Sequence, residues 1–439
     1  MKRSFWLLVA AAAATGSAAA QEATVAGRYT LQECRTLALE NNTKMKNGRL
    51  ALEAATQTRR EAFTHYFPTV SAAGMAFTAS HDMLKLSVPI ELPIPGLQLP
   101  PLGIGMMKNG LMGGVTAFQP VFAGRQVAVG NRLARIGEEA GGLKLRVSER
   151  EVTETVERYF WQVVALRGKL RTLDAADRQV ARIRSDVEAA VRAGIATRND
   201  LLRVELRQQE LAGSRLKVDN GIRVSLLLLA QYVGAPLTEP FDIEAGEIGP
   251  IDSPEGWYTD PAAAAEARPE ARLLDRQVEA SRQQIRMTRG KNMPTVGVGA
   301  GYLYHDLTGQ SNDFGMLFAS VSVPITGWWG GPHAVRREQL KRQQAENERR
   351  QAVELMEVEI SQCWNELQEA YAQVQLSERS IASASENLRL NEEYFRAGTA
   401  ALSDLLDAQT LLQQSHDQWT EATTDYRVKL AKYQLLTLH

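Results

Sequence analysis

Aspartates beside two glycine turns are the residues best placed to do chemistry. Asp404 and Asp407 stand three positions apart, a spacing that brings two side chains to one face of a helix, and Asp200 holds the position matching Asp404 in an earlier, similar segment. Carboxylates so placed can bind cations. They can also cap a helix that begins at the turn, as can the neighbouring Asn199 and Ser403. The spacing alone leaves both roles open.

Signals of catalysis and of cofactor binding are weak elsewhere. Cys34 and Cys363, the only cysteines, fall in helical patterns, which favours packed thiols over a disulfide. The six histidines are scattered without metal-ligand spacing. Since no activated nucleophile, carboxylate pair in a cleft or phosphate loop is found, we expect no enzyme, no metal and no cofactor. Apolar packing explains four methionines near an outer loop better than copper does: Met83, Met106, Met107 and Met112.

The chain contains an internal duplication. Residues 192–202 read RAGIATRNDLL and residues 396–406 read RAGTAALSDLL, 204 positions later, and the same offset relates Pro120 to Pro324. Pro68-Thr69-Val70 recurs at a longer offset, so the first copy carries an insertion of about 22 residues. In each copy we predict a helix, two strands, a very long helix, a tight turn and a helix.

Four segments follow from this pattern. A basic start, an apolar run and a small-residue stretch make residues 1–20 a secretory signal peptide, so the mature chain leaves the cytoplasm. We expect the first repeat over 21–235, a linker over 236–260 and the second repeat over 261–439. The net charge of −1, with both signs interleaved, argues against nucleic acid as a partner.

The sequence predicts one very long helix in each repeat. The stretches 124–192 and 332–396 lack proline after their first residues and are rich in helix formers, and each would be roughly 100 Å long at about 1.5 Å per residue. The last helix shows a coiled-coil-like seam with alternating spacings of three and four. Its members are Leu405, Ala408, Leu412, Ser415, Trp419, Ala422, Tyr426, Leu430 and Tyr433.

Four other segments alternate in character as strands do: 69–79, 111–122, 296–304 and 317–325. Their length of about ten residues and their aromatic ends favour membrane strands over a soluble sandwich. After residue 20 the longest apolar run, 224–230, is too short for a spanning helix. The proline-rich segment 87–101 predicts a surface loop at the tip of a hairpin, and its apolar character could also mark a partner contact.

Four strands cannot close a membrane barrel, since about eight is the smallest number that does. An unpaired edge in lipid leaves backbone groups without partners, so the chain must join copies of itself. Two copies would supply eight strands and three would supply twelve; the wider pore favours three.

In these respects the chain resembles the TolC family of outer-membrane efflux proteins over nearly its whole mature length. The marks are Leu31-Gln32-Glu33-Cys34 and Ala38-Leu39-Glu40-Asn41-Asn42, Tyr66-Phe67-Pro68, Arg268-Pro269-Glu270 and the two glycine turns. The resemblance implies a mostly α, α+β membrane protein of a Gram-negative bacterium: a homotrimer with a twelve-stranded barrel in outer-membrane lipid and a twelve-helix periplasmic tunnel. It also implies a passive exit duct for efflux or type I secretion. Its partners would be a periplasmic membrane fusion (adaptor) protein and an inner-membrane pump.

The resemblance places function at the tunnel tip. Asp404 and Asp407 match the family's constriction aspartates, and three-fold repetition would turn these residues and Asp200 into rings of negative charge. Asn199, Asp200 and Phe395 match positions that hold the tip closed.

The closing positions depart from the family pattern in one respect. The family lock uses a tyrosine and an arginine where this chain has Phe395 and Ala400. Arg198 or Arg396 could substitute, or the closed state could be held more weakly.

The two turns are also the expected docking surface for the fusion protein. Gly194 and Gly398 suit the left-handed residue that ends a long helix, and Arg192 and Arg396 precede them. The rival interpretation from another class is a periplasmic coiled-coil scaffold or adhesin stalk without a pore. It accounts for the long helices but not for the paired strands.

Overall fold

The structure is a computed structural model that describes residues 27–88, 102–244, 249, 251–307, 311–325 and 327–438. The predicted signal peptide and most of the proline-rich segment, residues 89–101, lie outside the described residues.

Eight α-helices account for most of the described chain. They are α1 Leu31–Asn41, α2 Thr43–Thr64, α3 Gln126–Arg192, α4 Arg198–Val233, α5 Pro261–Ala267, α6 Pro269–Lys291, α7 Gly327–Arg396 and α8 Leu402–Thr437. Helices α3 and α7 contain 67 and 70 residues, which confirms the two predicted long helices. Helix α7 begins five residues before the predicted start at Pro332, which lies within the helix.

Shorter helices pack along each long helix. Helices α2 and α4 lie against α3, and α6 and α8 lie against α7, while α3 also contacts α6 and α8. The resulting layer therefore has α2 and α4 along one edge and α7 along the other. The duplicated order of elements predicted from the sequence is confirmed.

The strands form three sheets. The bounds are β1 Gly27–Tyr29, β2 Thr69–Thr78, β3 Leu84–Val88, β4 Leu102–Met106, β5 Asn109–Ala123, β6 Phe241–Ile243, β7 Thr295–Asp306 and β8 Ser311–Ser322. The main sheet has the order β2-β5-β7-β8 and is antiparallel throughout, with two strands from each repeat. Strands β3 and β4 pair as a separate ribbon on either side of the predicted loop, whose first two residues, Ser87 and Val88, belong to β3. Strands β1 and β6 pair in parallel.

The register of the main sheet separates two faces of different chemistry, because directly paired residues point to the same side. One face is mainly aliphatic with two tyrosines, and its polar members include Gln119, Asp306 and Asp313. Its other residues include Val70, Ala72, Ala117, Val115, Leu111, Val296, Val298, Ala300, Tyr302, Tyr304, Val321, Ala319 and Leu317. The opposite face mixes small polar residues and glycines with phenylalanine, methionine and histidine. It carries Thr69, Ser71, Met75, Thr116, Phe118, Met112, Gly299, Gly301, Leu303, His305, Ser320, Phe318, Met316, Phe314 and Asn312.

Buried apolar residues form three clusters along the helices. One combines the first repeat with Ile243 of the linker and includes Cys34, and the buried members of the other all come from the second repeat and include Cys363. Burial raises the pKa of Cys34 to about 12 and that of Cys363 to about 11, so both thiols act as core residues, as predicted. The third cluster combines both repeats. It lies toward the turns, with Val180, Ile183 and Leu405 among its members.

Candidate functional site at the helical turns

Each long helix ends in a turn built around a glycine. After α3, Gly194 has φ of +68°, and the N–H of Ile195 donates to the carbonyl of Ala190 at 2.8 Å. After α7, Gly398 has φ of +72°, and the N–H of Thr399 donates to the carbonyl of Tyr394 at 2.9 Å. Both glycines thus have the left-handed conformation that the sequence predicted.

The first turn leads into α4 through a complete capping box. The Oγ1 of Thr197 accepts from the N–H of Asp200 at 3.2 Å. In return Oδ2 of Asp200 accepts from the N–H and the hydroxyl of Thr197 at 3.0 and 2.7 Å. These hydrogen bonds, with the hydroxyl contribution largest, lower the pKa of Asp200. Asp200 therefore serves the helix start.

The second turn has only half of this arrangement. Ala401 stands where the first repeat has Thr197, so no hydroxyl is available to accept from the helix. Oδ2 of Asp404 still accepts from the N–H of Ala401, at 3.3 Å, and the hydroxyl of Ser403 donates to Oδ1 of Asp404 at 3.4 Å. The expectation that Asn199 and Ser403 cap the helices is wrong, because Thr197 and Ala401 occupy the cap positions.

Asp404 and Asp407 both face away from the core of their own chain. Leu402, Leu405 and Ala408 are buried on α8, whereas the two aspartates between them are exposed. Within the described residues the side chain of Asp407 makes no hydrogen bond or ion pair. Its charge is thus available to something outside this chain.

The remaining predicted site residues lie around the same turns but do not form one network. Phe395 packs against the shared apolar cluster, and Arg396 pairs with Glu392 one turn earlier on α7, at 3.6 Å. Arg192 and Arg198 are exposed and have no ion-pair partner in the part of the chain that the structure describes. Within the described chain, neither Arg198 nor Arg396 forms an ion pair between the two turns.

Two polar contacts that the sequence did not reveal do connect the repeats. The amide of Gln179 on α3 donates to Glu392 on α7 at 3.0 Å. The guanidinium of Arg207 on α4 donates to Gln413 on α8 at 3.0 Å and to Gln409 at 3.4 Å. Gln409 is only 1% exposed, so this contact is shielded from water. No spacing pattern marks these residues, since each pair joins helices about 200 positions apart.

A cavity of about 460 Å³ lies between α3 and the second turn. Its lining is charged, with Arg178, Arg182, Asp186, Glu392 and Arg396, and Phe395 and Leu405 close its apolar side. Among the described residues no group of three or more His, Cys, Asp or Glu side chains is arranged to hold a metal ion. No described helix is both long and apolar enough to cross a bilayer.

The class of protein to which these long helices, this open sheet and these turns belong follows from the comparisons with known proteins. The family model of outer membrane efflux proteins matches residues 35–235 and 261–437. The chain belongs to this family of channel proteins and is an exit duct of the outer membrane.

Solved structures share the fold at low identity. CusC has a TM-score of 0.77 with 13% identity and coverage of 93% of this chain and 92% of that chain. VceC from Vibrio cholerae has 0.75 with 14% identity, over 93% and 96%. CmeC from Campylobacter jejuni has 0.75 with 13% identity, over 98% and 93%. No sequence among the curated proteins matches the chain significantly.

Proposed function

We propose that three copies of the chain form a closed tube, with a twelve-stranded barrel in the outer membrane of a Gram-negative bacterium and a twelve-helix tunnel in the periplasm. The observation that carries this proposal is the open four-stranded sheet. Its edges, β2 and β8, have no partner in the described chain, and in lipid such edges would leave polar backbone groups unpaired. Its strands alternate in direction, so β8 of one copy can pair antiparallel with β2 of the next.

The helices support the same assembly. Exposed large apolar side chains concentrate on the helices at the edges of the layer, α4 and α7, whereas α3 in the middle has none. On α4 they are Leu202, Leu206, Leu216, Val224, Leu227 and Leu228; on α7 they include Leu355, Val358, Leu376 and Tyr394. Packing α4 of one copy on α7 of the next would bury both stripes. In this arrangement each repeat, 21–235 or 261–439 with 236–260 between them, contributes two strands to the barrel.

The tip is the proposed gate. Three-fold symmetry would repeat Asp404 and Asp407 as rings of negative charge that bind cations and repel small anions. Asn199, Asp200 and Phe395 lie around the closed tip, where Phe395 contributes packing in place of the family's tyrosine. The Arg207 contacts to Gln409 and Gln413 supply the polar connection between repeats that the absent lock would otherwise provide.

The turns are the proposed docking surface for a periplasmic membrane fusion protein, which would connect the duct to an inner-membrane pump. Both turns are exposed. In the first turn the apolar side chain of Ile195 is 83% exposed, and Arg192 and Arg198 flank it in the sequence. An exposed apolar side chain flanked by cations suits a partner helix with an apolar stripe and acidic neighbours. Binding of that partner to the open state in preference to the closed state would open the tip.

Crosslinking between sheet edges tests the assembly. Ala72→Cys on β2 and Leu317→Cys on β8 both lie on the aliphatic face, and a flexible thiol crosslinker should join them between copies into covalent trimers. The native thiols provide a low background because both are buried with raised pKa values. Each single variant is the matched control and should give no trimer. Material that extracts as water-soluble monomers without conductance in planar bilayers would contradict the duct.

A further inference from the structure

A row of soft metal-ligand side chains crosses the end of the main sheet farthest from the helices. Met75 of β2 is paired with Met112 of β5, and Met112 is paired with His305 of β7. Because directly paired residues share a face, two thioethers and an imidazole stand side by side on three consecutive strands. Asn312 of β8 continues the row.

These three side chains can reach one point. Cβ atoms of directly paired residues are about 4.5–5.5 Å apart, so Met75 and His305 flank Met112 within the reach of long side chains. Methionine is unbranched with three rotatable bonds and a polarizable sulfur. The sulfurs of Met75 and Met112 can therefore meet an imidazole nitrogen of His305 above the middle strand.

The row opens into a single cavity of about 370 Å³. Met75, Met112 and His305 all line this cavity, and the two methionines are 53% and 38% exposed, so both residues are open to solvent. Leu303, Leu307, Phe314 and Thr116 are among the other lining residues, and no carboxylate is among them. The donors available to a bound ion are thus neutral and soft.

One ring nitrogen of His305 has no hydrogen-bond partner among the described residues. This atom, Nδ1, is buried, and such a buried polar atom normally requires a partner. The ring of Phe314 meets the imidazole edge-on with centroids 6.1 Å apart, which restrains the imidazole but satisfies neither nitrogen. Apolar packing explains the methionines of this row, but it leaves the histidine nitrogen unexplained.

We propose that Met75, Met112 and His305 form a binding site for a soft monovalent metal ion, Cu(I) or Ag(I). Thioether ligands select Cu(I), and imidazole also suits copper, whereas Mg²⁺ and Ca²⁺ require oxygen ligands. Neutral donors suit an ion of single charge, since no carboxylate is needed to balance a second. The site rests on the proposed duct for its setting: the face that carries the row would line the barrel lumen. Three copies would then place three such sites around the exit.

Such a site belongs to a conduit only if ions can leave it. A path for ions works when sites bind well enough to admit the ion and weakly enough to release it. Three neutral ligands at an accessible position meet that condition better than a closed thiolate cage.

Silver binding to the purified full-length mature protein in detergent tests the proposal, because Ag(I) needs no reductant. We expect one Ag(I) per chain by equilibrium dialysis with metal analysis, and at least a tenfold weaker binding for Met112→Leu, a volume-conserving change. Met83→Leu is the matched control, since Met83 is exposed outside the row, and it should bind as the parent does. His305→Gln should also weaken binding, and X-ray absorption on the Cu(I)-loaded parent should show two sulfur neighbours and one nitrogen neighbour.

Unchanged binding by Met112→Leu, absence of binding by the parent, or a metal shell without nitrogen would overturn the site. Single-channel conductance of the same preparations separates this from failure of the duct. A conducting parent that binds no Ag(I) refutes the metal site alone. A parent that binds Ag(I) through these residues without conducting refutes the duct alone.

Discussion

The two glycine turns share a sequence pattern and a backbone, yet they use their aspartates differently. In the first turn the carboxylate of Asp200 accepts two hydrogen bonds from Thr197 and closes a capping box. In the second turn Ala401 offers only its N–H to Asp404, and Asp407 has no partner within the described chain. The first turn thus holds its acid by a full capping box, whereas the second holds Asp404 by half of one and leaves the side chain of Asp407 without a partner among the described residues.

Each turn contains a glycine with a positive φ, and replacing that glycine should have the largest effect on adaptor binding. Proline cannot adopt φ near +70°, so Gly194→Pro and Gly398→Pro should each abolish capture of a purified periplasmic adaptor protein by the immobilised duct. Trimers on size-exclusion chromatography are the control for assembly. Normal capture by either variant would show that its turn takes no part in docking.

Removing the charges of Asp404 and Asp407 should have the next largest effect. Asp404→Asn together with Asp407→Asn should weaken block of the pore by La³⁺ by at least about tenfold in planar bilayers, since a ring loses its charge at close range. Asp200→Asn is the matched control in the other turn and should leave block nearly unchanged. Equal loss in the control would mean that the two turns do not differ in ion binding, and unchanged block in the double variant would remove the ring.

The contacts of Arg207 join the two repeats, and their loss should favour the open state. Arg207→Ala removes hydrogen bonds to Gln409 and Gln413, and a loss of roughly 1 kcal/mol would raise the open probability about fivefold. Arg203→Ala, an exposed arginine one turn earlier on α4, is the matched control. The measurement is single-channel recording without adaptor. An open probability equal to that of the Arg203→Ala control would exclude Arg207 from the gate.

The duplication, the long helices and the strands could be predicted because each depends on local pattern. The long stretches of helix-forming residues without proline predict the two long helices, and the matching segments around Gly194 and Gly398 predict the two turns. The cap positions were missed because each helix begins two residues earlier than Asn199 and Ser403 require, which places Thr197 and Ala401 at the caps. The Arg207 contacts and the row of Met75, Met112 and His305 depend on which distant elements become neighbours and in which register, and local pattern contains neither.

Exchanging the cap residues should make the two helix starts alike. Thr197→Ala should reduce protection of the first amides of α4 by about 1 kcal/mol, because the helix loses the hydroxyl acceptor. Ala401→Thr should increase protection at the start of α8 by a similar amount, since Asp404 already supplies the other half of the box. Hydrogen exchange read by mass spectrometry on trimers measures both. If neither substitution changes protection, the capping difference is without energetic consequence.

Acid should weaken the first turn through Asp200, and this effect should be the smallest. The folded state lowers the pKa of Asp200 below its ordinary value of 3.8, so its contribution is fully present above that value and is lost as pH falls through the lower folded-state pKa. Protection factors for the first turn of α4, corrected for intrinsic exchange, should therefore decline as the pH falls below 3.8. Because the Thr197 hydroxyl is the main cause of the shift, Thr197→Ala should reduce the decline. An equal decline in that variant would assign the acid sensitivity to another group.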